Sequence, residues 1–210
     1  HYILNSLIVS AGTMISCIVL SLLAGYSLSR YKFPFRKTIM STLLSVQMFP
    51  TVAILITLYT FFVKFRLTNT YTGLILACLC VSLPLSVWMM KSFYDTIPMS
   101  LDEAAKIDGC GRFGILFRVI MPMMKPGIYA VGIYSFLMAW DDYVFSKVLI
   151  NVNEKKTLTV GIAESFLGEF SHNYAGMMAL AVIAALPIVL IFIVFQRFLI
   201  SGMTAGAVKE

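Results

Sequence analysis

The chain has 210 residues, of which 60% are hydrophobic and only 12% are charged, and its formal net charge is +6. A typical soluble domain carries about 25% charged residues, so this composition excludes an ordinary water-soluble fold. The charges are also unevenly placed, because four long stretches contain none: 2–29, 38–63, 67–90 and 171–196. Each stretch exceeds the roughly 20 residues that a helix needs to cross a bilayer core of about 30 Å.

In chain order, the apolar runs predict five spanning helices, at 5–29, 38–63, 69–91, 126–146 and 173–196. A soluble helical core would show polar faces at helical period, and these runs lack them. Pro50, Pro84 and Pro187 lie inside the second, third and fifth runs, where each can kink its helix. The predicted fold is therefore an all-α, polytopic membrane helix bundle, with residues 1–210 forming a single transmembrane domain.

The placement of Lys and Arg predicts the orientation of this bundle. One face would receive eleven of them, and the other face five. The richer face is expected in the cytoplasm by the positive-inside rule. The chain would then begin outside, and the loop 92–125 and the C-terminus would lie inside. The eleven are Arg30, Lys32, Arg36, Lys37, Lys91, Lys106, Arg112, Arg118, Lys125, Arg197 and Lys209.

The longest charge-bearing segment is the loop between the third and fourth spans. Ser100 and Glu103 have the spacing of a capping box at the start of a helix. Gly109 suits a left-handed stop at the end of that helix. A second helical piece would follow at roughly 112–119, and Pro122 would help to end it. We therefore predict a cytoplasmic helix–turn–helix at 98–122, lying along the membrane face.

This loop has two possible roles on physical grounds. Asp102 and Glu103 complement the positive end of the first helix, and the small side chains of Ala104 and Ala105 allow a partner protein to approach closely. The alternative is an amphipathic helix that rests among the lipid headgroups. The residue pattern alone does not decide between a docking element and a headgroup helix.

Two adjacent acids, Asp141 and Asp142, make the fourth span the least lipid-like. They lie about 22 Å above its start, in the outer third of the membrane, where charge is costly without water or a cation. We expect a water-filled cavity or the outer boundary there.

The loop resembles the signature of permease subunits of binding-protein-dependent ABC importers. That signature is Glu-Ala-Ala, three residues, Gly, nine residues, then Ile-x-Leu-Pro. Here Glu103-Ala104-Ala105 is followed by Gly109 and then by Val119-Ile120-Met121-Pro122, in which Val119 and Met121 are conservative apolar replacements.

Further stretches resemble the maltose-type carbohydrate permeases. These stretches are Asn5-Ser6-Leu7, residues 24–30, Trp140-Asp141-Asp142-Tyr143, and the tail at 196–209. In that group an Asn usually follows the Trp, whereas Asp141 does so here, which alters the polar chemistry at that point. The group usually has six spans, so a further span is expected before the first one seen here.

The resemblance implies the fold of a type I ABC importer permease in the bacterial plasma membrane. This chain would form half of a pore with a second permease, bind two ATPase subunits inside, and meet a soluble sugar-binding protein outside through the extracytoplasmic loop 147–172. The ATPase-coupling residues would be Glu103, Ala104, Ala105, Gly109 and Pro122. The candidates to line the pore would be Gln47, Met48, Tyr134, Trp140 and Asp141. Trp140 beside Asp141 would be the pair to bind a sugar, although aromatic residues also form ordinary interfacial belts. A plain solvated connector is the alternative for 147–172.

The chain lacks a glycine-rich phosphate loop, so we expect no enzyme activity in it. We predict no catalytic residue, metal or cofactor here, since ATP would be bound by the partner subunits. The expected surroundings are the lipid bilayer and protein partners, with no nucleic acid.

Three other functional classes stay open at this stage. A permease for amino acids, peptides or ions would share the Glu-Ala-Ala loop. An ion-coupled secondary transporter usually needs ionisable groups near mid-membrane, and four of the five runs lack them. A purely structural membrane subunit is the third.

Overall fold

The computed structural model describes residues 1–166 and 174–207, with side chains described as far as residue 194. Within these ranges the regular structure is helical and contains no strand, which confirms the predicted all-α bundle. The helices are α1 (Tyr2–Arg30), α2 (Arg36–Val46), α3 (Thr51–Lys64), α4 (Tyr71–Asp95), α5 (Met99–Ile107), α6 (Arg112–Met123), α7 (Lys125–Trp140), α8 (Val144–Leu149), α9 (Leu158–Phe166) and α10 (Tyr174–Ala207).

Among the described residues, three helices are individually long and apolar enough to cross a membrane, namely α1, α4 and α10. The number rises to five if each of two bent pairs, α2–α3 and α6–α7, is counted as one span. The predicted span 38–63 is broken into two helices, because α2 and α3 meet at 99°. Pro50 explains the break, since it offers no amide donor and disfavours helical geometry at Phe49.

The end of the fourth predicted span also differs from the expectation. The helix stops at Trp140, and α8 begins only at Val144, so 126–146 is not one helix. Of the predicted outer loop, residues 147–166 form the end of α8, a 3₁₀ turn at Asn153–Lys155 and α9. Residues 167–172 of that loop lie outside the described residues, as do the last three residues of the chain.

The second helix of the predicted loop is longer and less regular than expected. It runs from Arg112 to Met123, and residues Ile115–Ile120 form a π-helical stretch within it. Pro122 lies in its last turn, and α6 meets α7 at 80° just beyond it. π-helical turns are rare and often accompany functional sites.

α1 is the centre of the bundle and packs against α4 and α7, while α7 also packs against α10. One end of the bundle, which we call the loop end, carries α5 and α6. Its core joins α1, α4, α5 and α6 through Leu22, Met90, Ala105 and Ile115. The opposite or far end has a second core, which joins α1, α3, α4 and α8. Over Tyr174–Val194 the most apolar stretch of α10 holds no buried residue, so this surface suits lipid or another membrane subunit.

Candidate functional site

The first helix of the loop begins one residue before the predicted cap. Pro98 is the N-cap residue of α5, and Ser100 lies inside the first turn of the helix. The predicted capping box is therefore wrong, since it requires Ser100 to precede the helix. Pro98 accounts for the shift, because proline is well tolerated at the start of a helix.

The turn between α5 and α6 agrees with the sequence. Gly109 has a φ of +81°, a left-handed conformation that glycine adopts without steric cost. The Cys110 amide donates to the Ala105 carbonyl at 2.9 Å, and the Gly109 amide donates to the Lys106 carbonyl at 3.0 Å. These two hydrogen bonds form a Schellman motif. The predicted glycine stop is confirmed.

The two alanines of the loop face opposite ways. Ala104 and Glu103 are exposed, whereas Ala105 is only 5% exposed and packs into the core at the loop end. Ala105 therefore lies out of reach of a docking partner, contrary to the sequence-based expectation. Its small side chain instead lets α5 lie close to the bundle.

Three large apolar side chains are exposed in the loop that carries Ala104. Ile107 is 87% exposed, Phe113 is 73% exposed and Phe117 is 50% exposed. The rings of Phe113 and Phe117 stack with their centroids 6.4 Å apart. We call Glu103, Ala104, Ile107, Phe113 and Phe117 the docking surface. Exposed apolar groups at such density mark interaction sites, and the i, i+4 spacing of the two phenylalanines could have revealed them in the sequence.

The loop is tied to the bundle by a buried charge pair that the sequence analysis did not identify. Arg30, at the end of α1, places its Nε 3.1 Å from Oδ2 of Asp102, and both side chains are 6% exposed. Arg30 also donates from Nη2 to the Ile97 carbonyl at 3.0 Å, and the Tyr26 hydroxyl donates to Asp102 Oδ1 at 3.4 Å. The available signals were an arginine ending an apolar run and an acid in the first turn of the next loop helix.

A cavity of about 540 Å³ opens where the break between α2 and α3 meets the end of α7. Tyr134 and Asp141 line it, as predicted for the pore. Gln47 lies at its edge, where its side-chain amide donates to the carbonyl of Val81 at 2.8 Å, and Val81 is itself a lining residue. Met48 is 84% exposed at the helix break. The full lining is Thr51, Cys78, Val81, Tyr134, Leu137, Met138, Asp141, Asp142, Tyr143, Val144 and Phe145.

Trp140 does not share this cavity with Asp141. It is 3% exposed, and its indole Nε1 donates to the carbonyl of Ala184 in α10 at 3.2 Å. Its ring stacks on that of Phe136 with centroids 5.7 Å apart. The predicted sugar-binding pair of Trp140 and Asp141 is therefore wrong in its geometry, because successive helical side chains point in different directions.

The two adjacent acids, Asp141 and Asp142, make different contacts. Asp142 accepts the amides of Phe145 at 3.2 Å and of Ser146 at 2.8 Å, and also the Ser146 hydroxyl at 2.8 Å. It thus supports the start of α8, where unpaired amides need acceptors. Asp141 remains exposed on the cavity wall and is the acid available to a solute.

At the far end, Asn5 and Ser6 hold the segment that follows α8. The Asn5 side-chain amide donates to the carbonyls of Glu154 at 2.8 Å and Lys156 at 2.9 Å, and its oxygen accepts the Tyr71 hydroxyl at 2.8 Å. Ser6 accepts the Leu158 amide at 2.8 Å. The first residues of α1 therefore determine the position of this segment, which we call the outer segment because it belongs to the loop predicted to lie outside the membrane.

A cluster of charges fixes α9 against α8 at the same end. Lys147 and Lys156 both donate to the Glu164 carboxylate, and these hydrogen bonds lower the pKa of Glu164. A carboxyl with a lowered folded-state pKa stabilises the fold above its unfolded pKa of about 4.3. This contribution is lost as the pH falls through the folded-state value.

We expect the contact between α8 and α9 to loosen as the pH falls below the unfolded pKa of about 4.3 and through the lower folded-state pKa of Glu164. Amide hydrogen exchange in Val144–Leu149 and Leu158–Phe166, corrected for intrinsic rates, should rise roughly two- to fivefold, as suits an exposed ion pair. Glu164→Gln should remove this rise in hydrogen exchange at low pH, which we call the pH step. Glu154→Gln, at an exposed acid of the same segment, is the matched control and should keep it. An unchanged step in Glu164→Gln would contradict this assignment.

Comparison with known proteins places the chain in a transport family. Residues 17–205 match the family model of the binding-protein-dependent transport system inner membrane component. The chain belongs to this family. The match spans both the docking surface and the cavity, so both are features of a transporter subunit.

Several sugar permeases align with nearly the whole chain. It is 35% identical to the sulfoquinovosyl glycerol transport system permease protein SmoH of Agrobacterium fabrum, over 99% of this chain and 73% of that protein. It is 34% identical to the maltodextrin permease MdxG of Bacillus subtilis, covering 98% and 74%. It is 33% identical to the trehalose/maltose permease MalG of Thermococcus litoralis, covering 99% and 75%.

Solved structures share the fold at lower identity. A chain of a bacterial ABC transporter involved in the import of the acidic polysaccharide alginate superposes with a TM-score of 0.81 at 19% identity, covering 93% of this chain and 73% of that one. A chain of the inward-facing MetNI methionine ABC transporter gives 0.76 at 16% identity, covering 95% and 94%. The predicted fold of an ABC importer permease is thus confirmed.

Proposed function

We propose that this chain forms half of the translocation pore of an ATP-driven importer for a sugar or an oligosaccharide. The observation that carries the proposal is the alignment of 98–99% of the chain with three sugar permeases at 33–35% identity. The second half of the pore would be another permease. The exposed apolar face of α10 and the weakly buried α2 are surfaces suited to that partner or to lipid.

The cavity beside Asp141 supports a polar solute. A carboxylate accepts hydrogen bonds from sugar hydroxyls, and the ring of Tyr134 can cover an apolar sugar face. Both residues line the cavity, and Gln47 adds an amide at its edge. We assign substrate contact to Tyr134, Asp141 and Gln47, and a structural role to Trp140.

The docking surface would receive the ATPase subunit. The small side chain of Ala104 leaves room for close approach, while the exposed side chains of Ile107, Phe113 and Phe117 offer apolar area. Glu103 adds a charge that a basic residue of the partner can contact. Closure of the two ATPase subunits would then move α5 and α6 as one body, an interface-driven transition of a familiar type. Gly109 forms the turn between α5 and α6, and Pro122 lies in the last turn of α6.

The charge distribution supports a cytoplasmic location for the docking surface. The loop end would carry eleven Lys and Arg residues against five at the far end, and the richer side faces the cytoplasm in bacterial membranes. The far end, with its segment held by Asn5 and Ser6, would then face a solute-binding protein outside.

The decisive experiment is uptake by the assembled transporter. The chain would be co-expressed with a second permease and the ATPase subunits of the same transporter, reconstituted in liposomes, and supplied with the binding protein of that transporter. A panel of radiolabelled monosaccharides, neutral oligosaccharides and amino acids would be tested with ATP inside or outside. We expect uptake of one sugar class that needs both ATP and the binding protein. Amino-acid uptake, or uptake driven by an ion gradient without ATP, would refute the proposal.

A further inference from the structure

We propose that α1 transmits the movement of the docking surface to the outer segment. The Arg30–Asp102 ion pair couples α1 to the loop. This inference rests on the proposed docking of an ATPase at α5 and α6. It assigns a positioning role to Arg30 and Asp102, neither of which belongs to the exposed docking surface.

The Arg30–Asp102 ion pair is buried. Arg30 Nε lies 3.1 Å from Asp102 Oδ2, and the side chains are each 6% exposed. The N–H does not point straight at the oxygen, so charge attraction rather than a linear hydrogen bond holds this contact. Because water is excluded, neither charge can be solvated if the two separate. Asp102 therefore stays with Arg30 when the loop moves.

The same arginine holds the entry to α5. Its Nη2 donates to the Ile97 carbonyl at 3.0 Å, and its Nη1 lies 3.6 Å from the sulfur of Met99. The planar guanidinium thus contacts three successive parts of the loop in fixed directions. The charges also suit the ends of their own helices, since Arg30 lies in the last turn of α1 and Asp102 in the first turn of α5.

The remaining contacts of the loop with the bundle are mainly apolar. Ala105, Ile115 and Ile120 pack against Leu22 and neighbouring side chains of the loop-end core. Apolar packing is non-directional, so it can slide when a helix shifts. The ion pair is desolvated, so its separation is costly, and it is therefore the contact best suited to move α1 together with the loop.

α1 reaches the far end of the bundle without a break. α1 has 29 residues, which corresponds to a length of about 43 Å. At its first turn, Asn5 holds the carbonyls of Glu154 and Lys156, and Ser6 holds the Leu158 amide. A single rigid helix thus has polar attachments to the docking loop at one end and to the outer segment at the other. Such a contiguous element is a physical route for coupling.

The test compares ATP hydrolysed per sugar transported in the reconstituted transporter. Asp102→Asn keeps the shape but removes the charge, and Arg30→Lys keeps the charge but removes the planar fork. We expect both variants to retain the ATPase during purification and to raise the ATP-to-sugar ratio at least severalfold. The exchange of both charges, Arg30→Asp with Asp102→Arg, should restore part of the coupling. Asp108→Asn, at an exposed acid of the same loop, is the control and should behave as the unmodified chain.

Two results would overturn the proposal that α1 transmits movement through the Arg30–Asp102 pair. One is an unchanged ATP-to-sugar ratio in both Asp102→Asn and Arg30→Lys. The other is loss of the ATPase from purified Asp102→Asn, since the pair would then shape the docking surface rather than transmit its movement. Failure of the docking proposal itself is seen separately, as normal ATPase binding and uptake after a bulky replacement at Ala104.

Discussion

Replacement of Ala104 by tryptophan is expected to abolish ATP-driven uptake while the protein still folds and inserts. Ala104 is exposed on the docking surface, so a large side chain there enlarges the surface without disturbing the core. Forcing extra volume into a close-packed contact costs about 1–3 kcal/mol, which corresponds to a roughly 5- to 150-fold weaker association. Co-purification of the ATPase and sugar uptake should fall together.

A graded series at Ala104 gives this prediction its control. Ala104→Ser adds one atom and should retain nearly normal uptake, while Ala104→Leu should give an intermediate loss. The thermal midpoint in detergent should stay close to that of the unmodified chain for all three, because the position is exposed. Full uptake with Ala104→Trp would show that the ATPase does not approach this residue.

Gly73→Ala is expected to be strongly destabilising. A Cβ at Gly73 would lie 2.0 Å from the carbonyl oxygen of Leu67 and 3.0 Å from its carbon. That carbonyl already accepts the Thr70 hydroxyl at 2.6 Å, and Thr70 caps α4 by accepting the Gly73 amide at 3.0 Å. Relief of the overlap must therefore displace backbone and weaken the cap.

The expected cost is about 1–3 kcal/mol for the overlap, with about 1 kcal/mol more if the cap is lost. At roughly 2–4 °C per kcal/mol for a chain of this size, the thermal midpoint in detergent should fall by several degrees. Gly111→Ala is the matched control. Among the described residues, no atom lies within 4 Å of a Cβ built at Gly111, and its φ of −69° suits any residue. Equal midpoints for the two variants would contradict the close approach at Gly73.

Local signals in the sequence were sufficient where one residue type controls the backbone. Gly109 has a positive φ, as predicted, because few other residues adopt that conformation at low cost. Pro50 lies at the break between α2 and α3, where a kink was expected, although the 99° angle could not be foreseen. Proline prevents a regular helix but does not determine the direction in which the chain continues.

Neighbouring residues of similar character were assigned incorrectly for a different reason. Ala104 and Ala105 are the same residue type, yet Ala104 is exposed and Ala105 packs into the core at the loop end. Trp140 and Asp141 are adjacent, yet one packs on α10 and the other lines the cavity. α7 is apolar over most of its surface, so its periodicity gives little information about which face meets which partner. In α5 the residue type is the same at both positions, so it does not show which alanine faces the bundle.

The sequence by itself determined that this chain is a helical membrane protein with a polar loop built as helix, glycine turn and helix. Those features depend on composition, on charge-free length and on one glycine, all of which act within a few residues. Only the tertiary structure decided that Asp102 pairs with Arg30, that Asn5 holds the outer segment, and that Ala104 rather than Ala105 is exposed. Asp102 and Arg30 are 72 positions apart in the numbering and Asn5 contacts residues about 150 positions away, so the packing of α1 against the other helices brings them together.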